Sequence, residues 1–177
     1  MIKQTNIVWP EKFLPPEVAE EVRLVPLERT NHRPLYVSQN GKGFSCHVIK
    51  DAEKGEVDGF MLRAIKDEDR PTTDPKRKCK SGNYYRHFSL DFHHILVHRA
   101  VLLAWVGPCP KGCQCDHLNG DNTDNRLENL QWVTPRENQR RAGILKVFRK
   151  QFSSYKEAQE VLAEMTRKEL LHLFAQE

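Results

Sequence analysis

Hydrophobic and polar positions divide the chain into two parts of different character. In the first part, short apolar or alternating runs predict strands at Leu35–Val37, Phe44–Ile49, Phe60–Ile65 and Tyr84–Leu90. The Asn40-Gly41 pair between the first two runs is typical of a tight hairpin turn. Several prolines before Asp51 exclude long helices there, although Glu17–Leu24 has the pattern of a short one. We therefore predict a small antiparallel sheet in this part.

The second part begins with a helical pattern and continues as strand, loop, strand and helix. Apolar residues recur at helical spacing over Val97–Val106, and Gly107-Pro108 ends that run. Two further runs, Gln114–His117 and Leu130–Val133, predict strands on either side of a loop rich in Asn and Asp. Proline is favoured in the first turn of a helix, so Pro135–Arg141 is predicted to be helical.

The C-terminal segment contains two signals for the start of a helix. Ser154–Glu157 and Thr166–Glu169 each match a capping box, and apolar residues at helical spacing follow each of them. Two short amphipathic helices are expected. The predicted organisation is α+β, with a β-rich region over 1–92, a core over 93–143 and a helical appendage over 144–177.

The distribution of charged residues along the chain is more informative than the net charge. The net charge is only +4, but basic residues gather in Arg70–Arg86 and in Arg136–Lys150. Together these stretches suit a polyanionic partner, whereas a solvated surface is the simpler explanation for either one alone. No apolar run reaches the roughly 20 residues that span a bilayer, and the N-terminus lacks the layout of a secretory signal. We therefore expect an intracellular protein with reduced cysteines.

The segment from Cys115 to Asn138 concentrates the groups needed for metal-assisted hydrolysis of a phosphodiester. Asp116 is a hard oxygen ligand for a divalent cation, and His117 titrates near neutral pH, which suits a general base. The carboxamides of Asn129 and Asn138 can bind the cation or hold the imidazole. Adjacent strand residues point to opposite faces, so the strand has to distort or end at Asp116-His117. If that pair is taken alone, a turn with a surface histidine is the alternative.

The same residues carry a resemblance to a known family. The segment VHRAVLLAWVGPCPKGCQCDHLNGDNTDNRLENLQWVTPRENQRR resembles the HNH nucleases common in phages and mobile introns. The resemblance implies a ββα-metal fold that holds one divalent cation, Mg²⁺ or another such as Mn²⁺. It implies that Asp116 and Asn138 bind the metal, that His117 is the general base, and that Asn129 orients His117. Upstream, LYVSQNGKGFSC resembles the element that often precedes such cores, so the N-terminal region is expected to bind DNA.

Basic side chains near this motif are candidates for contacts with double-stranded DNA. Three of them share the predicted helix with Asn138 and three lie in the earlier basic stretch: Arg136, Arg140 and Arg141, and Arg77, Lys78 and Lys80. The two C-terminal helices either read DNA as well or pack against the core.

The cysteines offer a different interpretation, a structural zinc site. Cys109, Cys113 and Cys115 form a C-x3-C-x-C pattern, and Cys79 is a candidate for a fourth ligand. Structural zinc sites usually combine two ligand pairs. A convincing second pair is missing from this pattern, so zinc is not favoured.

The sequence thus predicts an HNH-type DNA endonuclease with one divalent cation, acting in the cytoplasm of a bacterial or phage-infected cell and without a membrane. A monomer would nick one strand, whereas a homodimer would cut both. A phage nicking enzyme and a homing endonuclease are both compatible with this prediction. The alternatives are a DNA-binding protein that uses the HNH scaffold without cutting, and a zinc-stabilised interaction module.

Overall fold

The computed structural model describes residues 21–27, 33–50, 57–65, 67–70, 85–91 and 93–175. Part of the short helix predicted over Glu17–Leu24 lies outside these ranges, and its described end is a strand. The predicted DNA contacts Arg77, Lys78 and Lys80 and the candidate ligand Cys79 also lie outside them.

The N-terminal region forms a four-stranded antiparallel sheet in the order β1-β2-β3-β4. The strands are β1 (Val22–Leu24), β2 (Leu35–Ser38), β3 (Gly43–Lys50) and β4 (Val57–Ile65). The predicted Asn-Gly turn joins β2 to β3, and Gly41 has the positive φ of 75° that such a turn needs. The antiparallel sheet expected from the alternating pattern is therefore present.

Two smaller antiparallel sheets follow. One contains β5 (Asp67–Arg70), β6 (Tyr85–Leu90) and β7 (His93–Leu96) in that order. The other is a hairpin of β8 (Gln114–His117) and β9 (Leu130–Val133), linked by a loop that ends in a 3-10 turn over Leu127–Asn129. Strand β7, which directly precedes the first helix, is absent from the sequence prediction.

Four helices are described: α1 (Val97–Trp105), α2 (Pro135–Arg149), α3 (Tyr155–Glu164) and α4 (Arg167–Ala175). The Thr134 side chain accepts a hydrogen bond from the Glu137 N–H and caps α2, and Ser154 caps α3 in the same way. The predicted end of α2 at Arg141 is wrong, because the helix continues for two more turns that pack against α3 and α4.

Two clusters of buried hydrophobic residues hold the elements together, one around α1 and one around the C-terminal helices. The α1 cluster takes buried residues from β2, β6, α1 and β9, among them Val37, Phe88, Val101 and Leu130. A second cluster joins Leu118, next to the β8–β9 hairpin, to Leu145, Leu162, Leu170 and Phe174. The division of the chain into three segments stays a prediction.

The predicted α+β fold class is confirmed: a small antiparallel sheet comes first, a strand-loop-strand-helix unit follows, and helices end the described chain. Among the described helices, none combines the length and the apolar character needed to cross a bilayer.

Candidate functional site

The predicted site residues are carried by the β8–β9 hairpin, with Asp116, His117 and Asn129, and by helix α2, with Asn138. In the hairpin, Asp116 pairs with Gln131 and His117 pairs with Leu130. Strand β8 ends at His117, and the Gly120 N–H donates to the His117 carbonyl in the turn that follows. Asp116 and His117 thus both lie within the regular register of β8, and the strand ends directly after His117.

The Asp116 carboxylate faces helix α2. Its side chain is only 12% exposed, and its Oδ2 accepts a hydrogen bond from Arg141 Nη1 at 3.2 Å. Burial raises the pKa of Asp116, and the Arg141 guanidinium opposes that rise. The carboxylate is therefore held on one side by a cationic partner from the helix that also carries Asn138.

The His117 imidazole is buried and lies close to two other aromatic rings. Its centroid is 5.3 Å from that of His98 and 6.3 Å from that of Tyr85. Nε2 lies 3.2 Å from Asn125 Oδ1. Burial lowers the pKa of His117, and the hydrogen bond to Asn125 opposes the shift. A carboxamide oxygen only accepts, so Nε2 carries the proton and Nδ1 is left as the basic nitrogen.

Asn129 has a different role from the one predicted. Its Oδ1 accepts from the Asn119 backbone N–H at 2.9 Å, and its Nδ2 donates to Asn119 Oδ1 and to the Asp124 carbonyl. These bonds occupy the carboxamide, which is buried at 2% exposure. The structure therefore has Asn125, not Asn129, in contact with the His117 ring, and Asn129 closes the loop that carries Asn125.

Asn138 lies in the first turns of α2. Its backbone N–H donates to the Thr134 carbonyl, and its half-buried side chain makes no hydrogen bond to another described residue. Arg141 follows three positions later, where helical geometry puts the two side chains on neighbouring positions of one face. Because Arg141 contacts Asp116, Asn138 lies within one helical turn of the residue that bonds that carboxylate.

The sequence profile of the HNH endonuclease family matches residues 96–140, from the start of α1 to the first half of α2. This segment therefore resembles the core of the HNH endonucleases. The match contains all four residues of the predicted HNH site, Asp116, His117, Asn129 and Asn138, and ends before α3 and α4.

Two curated relatives and one solved structure are similar to this chain. A "SPbeta prophage-derived putative HNH homing endonuclease" of Bacillus subtilis strain 168 is 37% identical over 54 residues, which are 30% of this chain and 31% of the relative. An uncharacterized HNH endonuclease of Acanthamoeba polyphaga mimivirus is 39% identical over 92 residues, 51% of this chain and 23% of that protein. The chain thus spans less than a third of either relative. A structure on DNA binding and cleavage by the HNH homing endonuclease I-HmuI covers 74% of this chain and 60% of its own, with a TM-score of 0.39 and 20% identity.

The three arginines predicted to contact DNA from α2 of the HNH motif differ in exposure. Arg136 is exposed, in keeping with a contact to a phosphate. Arg140 is half-buried and bonds to Glu137 and to the Phe174 carbonyl. Arg141 is buried, with its side chain 8% exposed. The predicted phosphate contact of Arg141 does not fit the structure, because its guanidinium is enclosed by protein groups.

The cysteines near the HNH motif are free thiols. Cys109 Sγ donates to the Cys113 carbonyl, and burial raises the pKa of the Cys115 thiol to about 12. In the described ranges, no group of three or more His, Cys, Asp or Glu side chains is arranged to hold a metal ion.

Three residues around the HNH hairpin had no predicted role in the chemistry: Asn119 and Asn125 in the loop, and His98 on α1. His98 is 6% exposed, and its Nδ1 has no hydrogen-bond partner in the part of the chain that the structure describes. The concentration of Asn and Asp over 119–125 was a signal for a hydrogen-bonded loop. It did not indicate which asparagine reaches the imidazole.

Proposed function

We propose that this protein is a DNA endonuclease that hydrolyses phosphodiester bonds with one divalent cation and with His117 as general base. The observation that carries the proposal is the buried His117 ring, held through Nε2 on the HNH hairpin next to the Asp116 carboxylate. The family match and the names of the relatives support the class of reaction.

His117 is suited to accept a proton from water at neutral pH. Burial keeps the pKa of its imidazole below the ordinary value, so the ring is neutral in the free protein. With Nε2 bonded to Asn125, Nδ1 takes the proton of the attacking water. Asn125 then stabilises the imidazolium by accepting from Nε2.

The donor set fits a hard divalent cation. Asp116 supplies an anionic oxygen, and Asn138 supplies a carboxamide oxygen that is not used by another described side chain. These two residues would hold Mg²⁺ or Mn²⁺, and so few protein ligands leave positions for phosphate and water. When bound, the cation would stabilise negative charge on the phosphate and on the leaving oxygen.

Double-stranded DNA is the proposed substrate. Arg136 is exposed at the start of the helix that carries Asn138, which supports a contact with a phosphate near the cut. Arg77, Lys78 and Lys80 and the N-terminal region remain proposed DNA contacts. A monomer with one such site nicks a strand, and a homodimer cuts both strands. The prophage relative supports a homing or phage-type role in the cytoplasm of a bacterial cell.

The test is the nicking of supercoiled plasmid in Mg²⁺ by His117→Ala. We expect nicking to slow by at least about 100-fold, because a general base contributes that much or more to a proton-transfer step. His172→Ala makes the same change at an exposed histidine of α4 and should cut at the wild-type rate. Nicking by His117→Ala at the wild-type rate would contradict the mechanism. Tight DNA binding without cleavage in Mg²⁺, Mn²⁺ or Ni²⁺ would instead identify a non-cleaving DNA-binding protein.

A further inference from the structure

Arg141 is enclosed by two carboxylates, a carboxamide and an aromatic ring. Its Nε donates to Glu137 Oε1 at 2.7 Å, and its Nη1 donates to Asp116 Oδ2 at 3.2 Å and to Gln131 Oε1 at 3.4 Å. A buried guanidinium needs its donors satisfied in this way, because an unpaired buried charge is costly. The bonds tie α2 to β8 and β9 at the proposed metal ligand.

The fourth partner of Arg141 comes from the C-terminal helix. The ring of Phe174 lies 5.0 Å from the Arg141 guanidinium carbon, and the Phe174 carbonyl accepts from Arg140 Nη1 at 2.8 Å. Phe174 is itself 2% exposed and packs in the cluster that contains Leu118. Helix α4 thus places an aromatic ring against the Arg141 guanidinium.

Helix α4 also holds the HNH hairpin directly. Arg167 Nη1 donates to the carbonyls of Glu128 and Leu130, each at 3.0 Å, at the start of β9. From α3, Gln159 Nε2 donates to the Asn119 carbonyl in the loop after His117. All these C-terminal contacts lie beyond residue 140, where the match to the family profile ends.

We propose that Arg141 is a positioning residue that fixes the Asp116 carboxylate for the cation, and that Phe174 of α4 fixes Arg141. The C-terminal helices are then part of the metal site and not a separate DNA-reading appendage. The proposal rests on the proposed function in one respect, namely that Asp116 binds the cation. Groups that bond to a ligand carboxylate set its orientation, and their loss typically weakens metal binding.

An arginine is needed at position 141 because the planar guanidinium bonds two carboxylates at once. Its Nε and Nη1 reach Glu137 and Asp116 from one rigid group. A lysine keeps the positive charge but offers a single ammonium without that fork. The Arg141→Lys variant therefore separates the geometry of the contact from its charge.

The experiment measures Mn²⁺ binding by the full chain without DNA, with free Mn²⁺ followed by electron paramagnetic resonance. Asp116→Asn defines the binding that belongs to the site. We expect Arg141→Lys to weaken this binding by about 10-fold, the lower end of the usual effect of losing a group that orients a ligand. Lys146→Arg, the reverse change at an exposed position of α2, should bind Mn²⁺ as the wild type does.

Phe174→Leu provides a second variant that keeps an apolar side chain in the C-terminal cluster. It removes the ring from Arg141, so we expect Mn²⁺ binding to weaken in the same direction by about 3-fold. Because both changes act through one contact, Phe174→Leu should have a smaller effect when Arg141→Lys is already present. Thermal melts of all variants, read by circular dichroism, establish that the folded state is being titrated.

The outcomes separate this inference from the proposed function. Wild-type Mn²⁺ affinity in folded Arg141→Lys and Phe174→Leu would overturn the positioning role and leave the nuclease proposal intact. Weakened Mn²⁺ binding together with full nicking by His117→Ala would support the positioning role and overturn the proposed base. Unchanged Mn²⁺ binding by Asp116→Asn would overturn both the metal site and the role of Arg141.

Discussion

Burial shifts the protonation of the two histidines at the centre of the site in the same direction. Burial, and after it the neighbouring His117, lower the pKa of His98 to about 3. Burial also lowers the pKa of His117, and the hydrogen bond that Nε2 donates to Asn125 opposes this shift. Both rings are neutral in the folded protein at neutral pH, which leaves His117 free to accept a proton.

The low pKa of His98 predicts a loss of stability in acid. Between the ordinary histidine pKa of about 6.5 and the folded value of about 3, the unfolded chain binds the extra proton, so stability falls as the pH falls through that window. His98→Phe keeps a ring against Tyr85 and His117 and should remove about 1.4 kcal/mol per pH unit from this fall. Urea unfolding from pH 6.5 to pH 4 measures the slope, and an equal slope in both proteins would rule out the buried neutral ring.

Asn125 and Asn129 should separate catalysis from stability. Asn125→Ala removes the acceptor from His117 Nε2, so we expect nicking to slow by about 10- to 100-fold through loss of ring orientation. Asn129→Ala removes the three bonds that close the loop and should lower the unfolding free energy by about 2–3 kcal/mol. Plasmid nicking and urea unfolding of both variants test the ranking. If Asn129→Ala nicked more slowly than Asn125→Ala and was also the more stable of the two, then Asn129 would have the catalytic role and Asn125 the structural one.

At the scale of elements, helix α2 connects the proposed metal ligand Asn138 to the C-terminal cluster. Its first turns carry Arg136 and Asn138, its middle carries Arg141, and Leu145 packs in the cluster with Leu162. Arg149 near its end donates to the Asn119 carbonyl and to Gln159. One rigid element therefore sets the distances between proposed ligand, positioning residue and loop.

The N-cap of α2 should matter for activity as well as for stability. Thr134→Ala removes the bond to the Glu137 N–H and should cost about 1 kcal/mol, as should Ser154→Ala at the cap of α3. Only Thr134→Ala frays the turn that carries Asn138, so only this variant should nick more slowly. Thermal melts and plasmid nicking of the two variants make the comparison. Equal nicking by both would show that the first turn of α2 does not hold the metal ligand.

At the scale of the whole molecule, the loop after His117 is held from both ends of the described chain. From the N-terminal side, the Leu127 N–H donates to the Gln39 carbonyl at 2.7 Å, and a Cβ at Gly41 would lie 3.1 Å from the Asn125 Cβ and carbonyl oxygen. A glycine is therefore required there both by the turn and by this close approach. From the C-terminal side, α3 and α4 hold the same loop through Gln159 and Arg167.

Local pattern was sufficient to predict most of the elements. The capping boxes at Ser154 and Thr166, the Asn-Gly turn and the proline at the start of α2 act within a few positions, so the sequence displays them directly. The family profile likewise depends on spacing along the chain. The fold class and the family are accordingly the parts of the prediction that are confirmed.

The sequence by itself determined which chemical groups this protein possesses and where most of its strands and helices begin. Only the tertiary structure decided that Asn125 reaches His117, that Arg141 is buried against Asp116, and that the C-terminal helices pack on the site. The physical reason is that burial and hydrogen-bond partners depend on groups dozens of positions apart. Periodicity and capping carry no information about which of several asparagines or arginines those distant groups will meet.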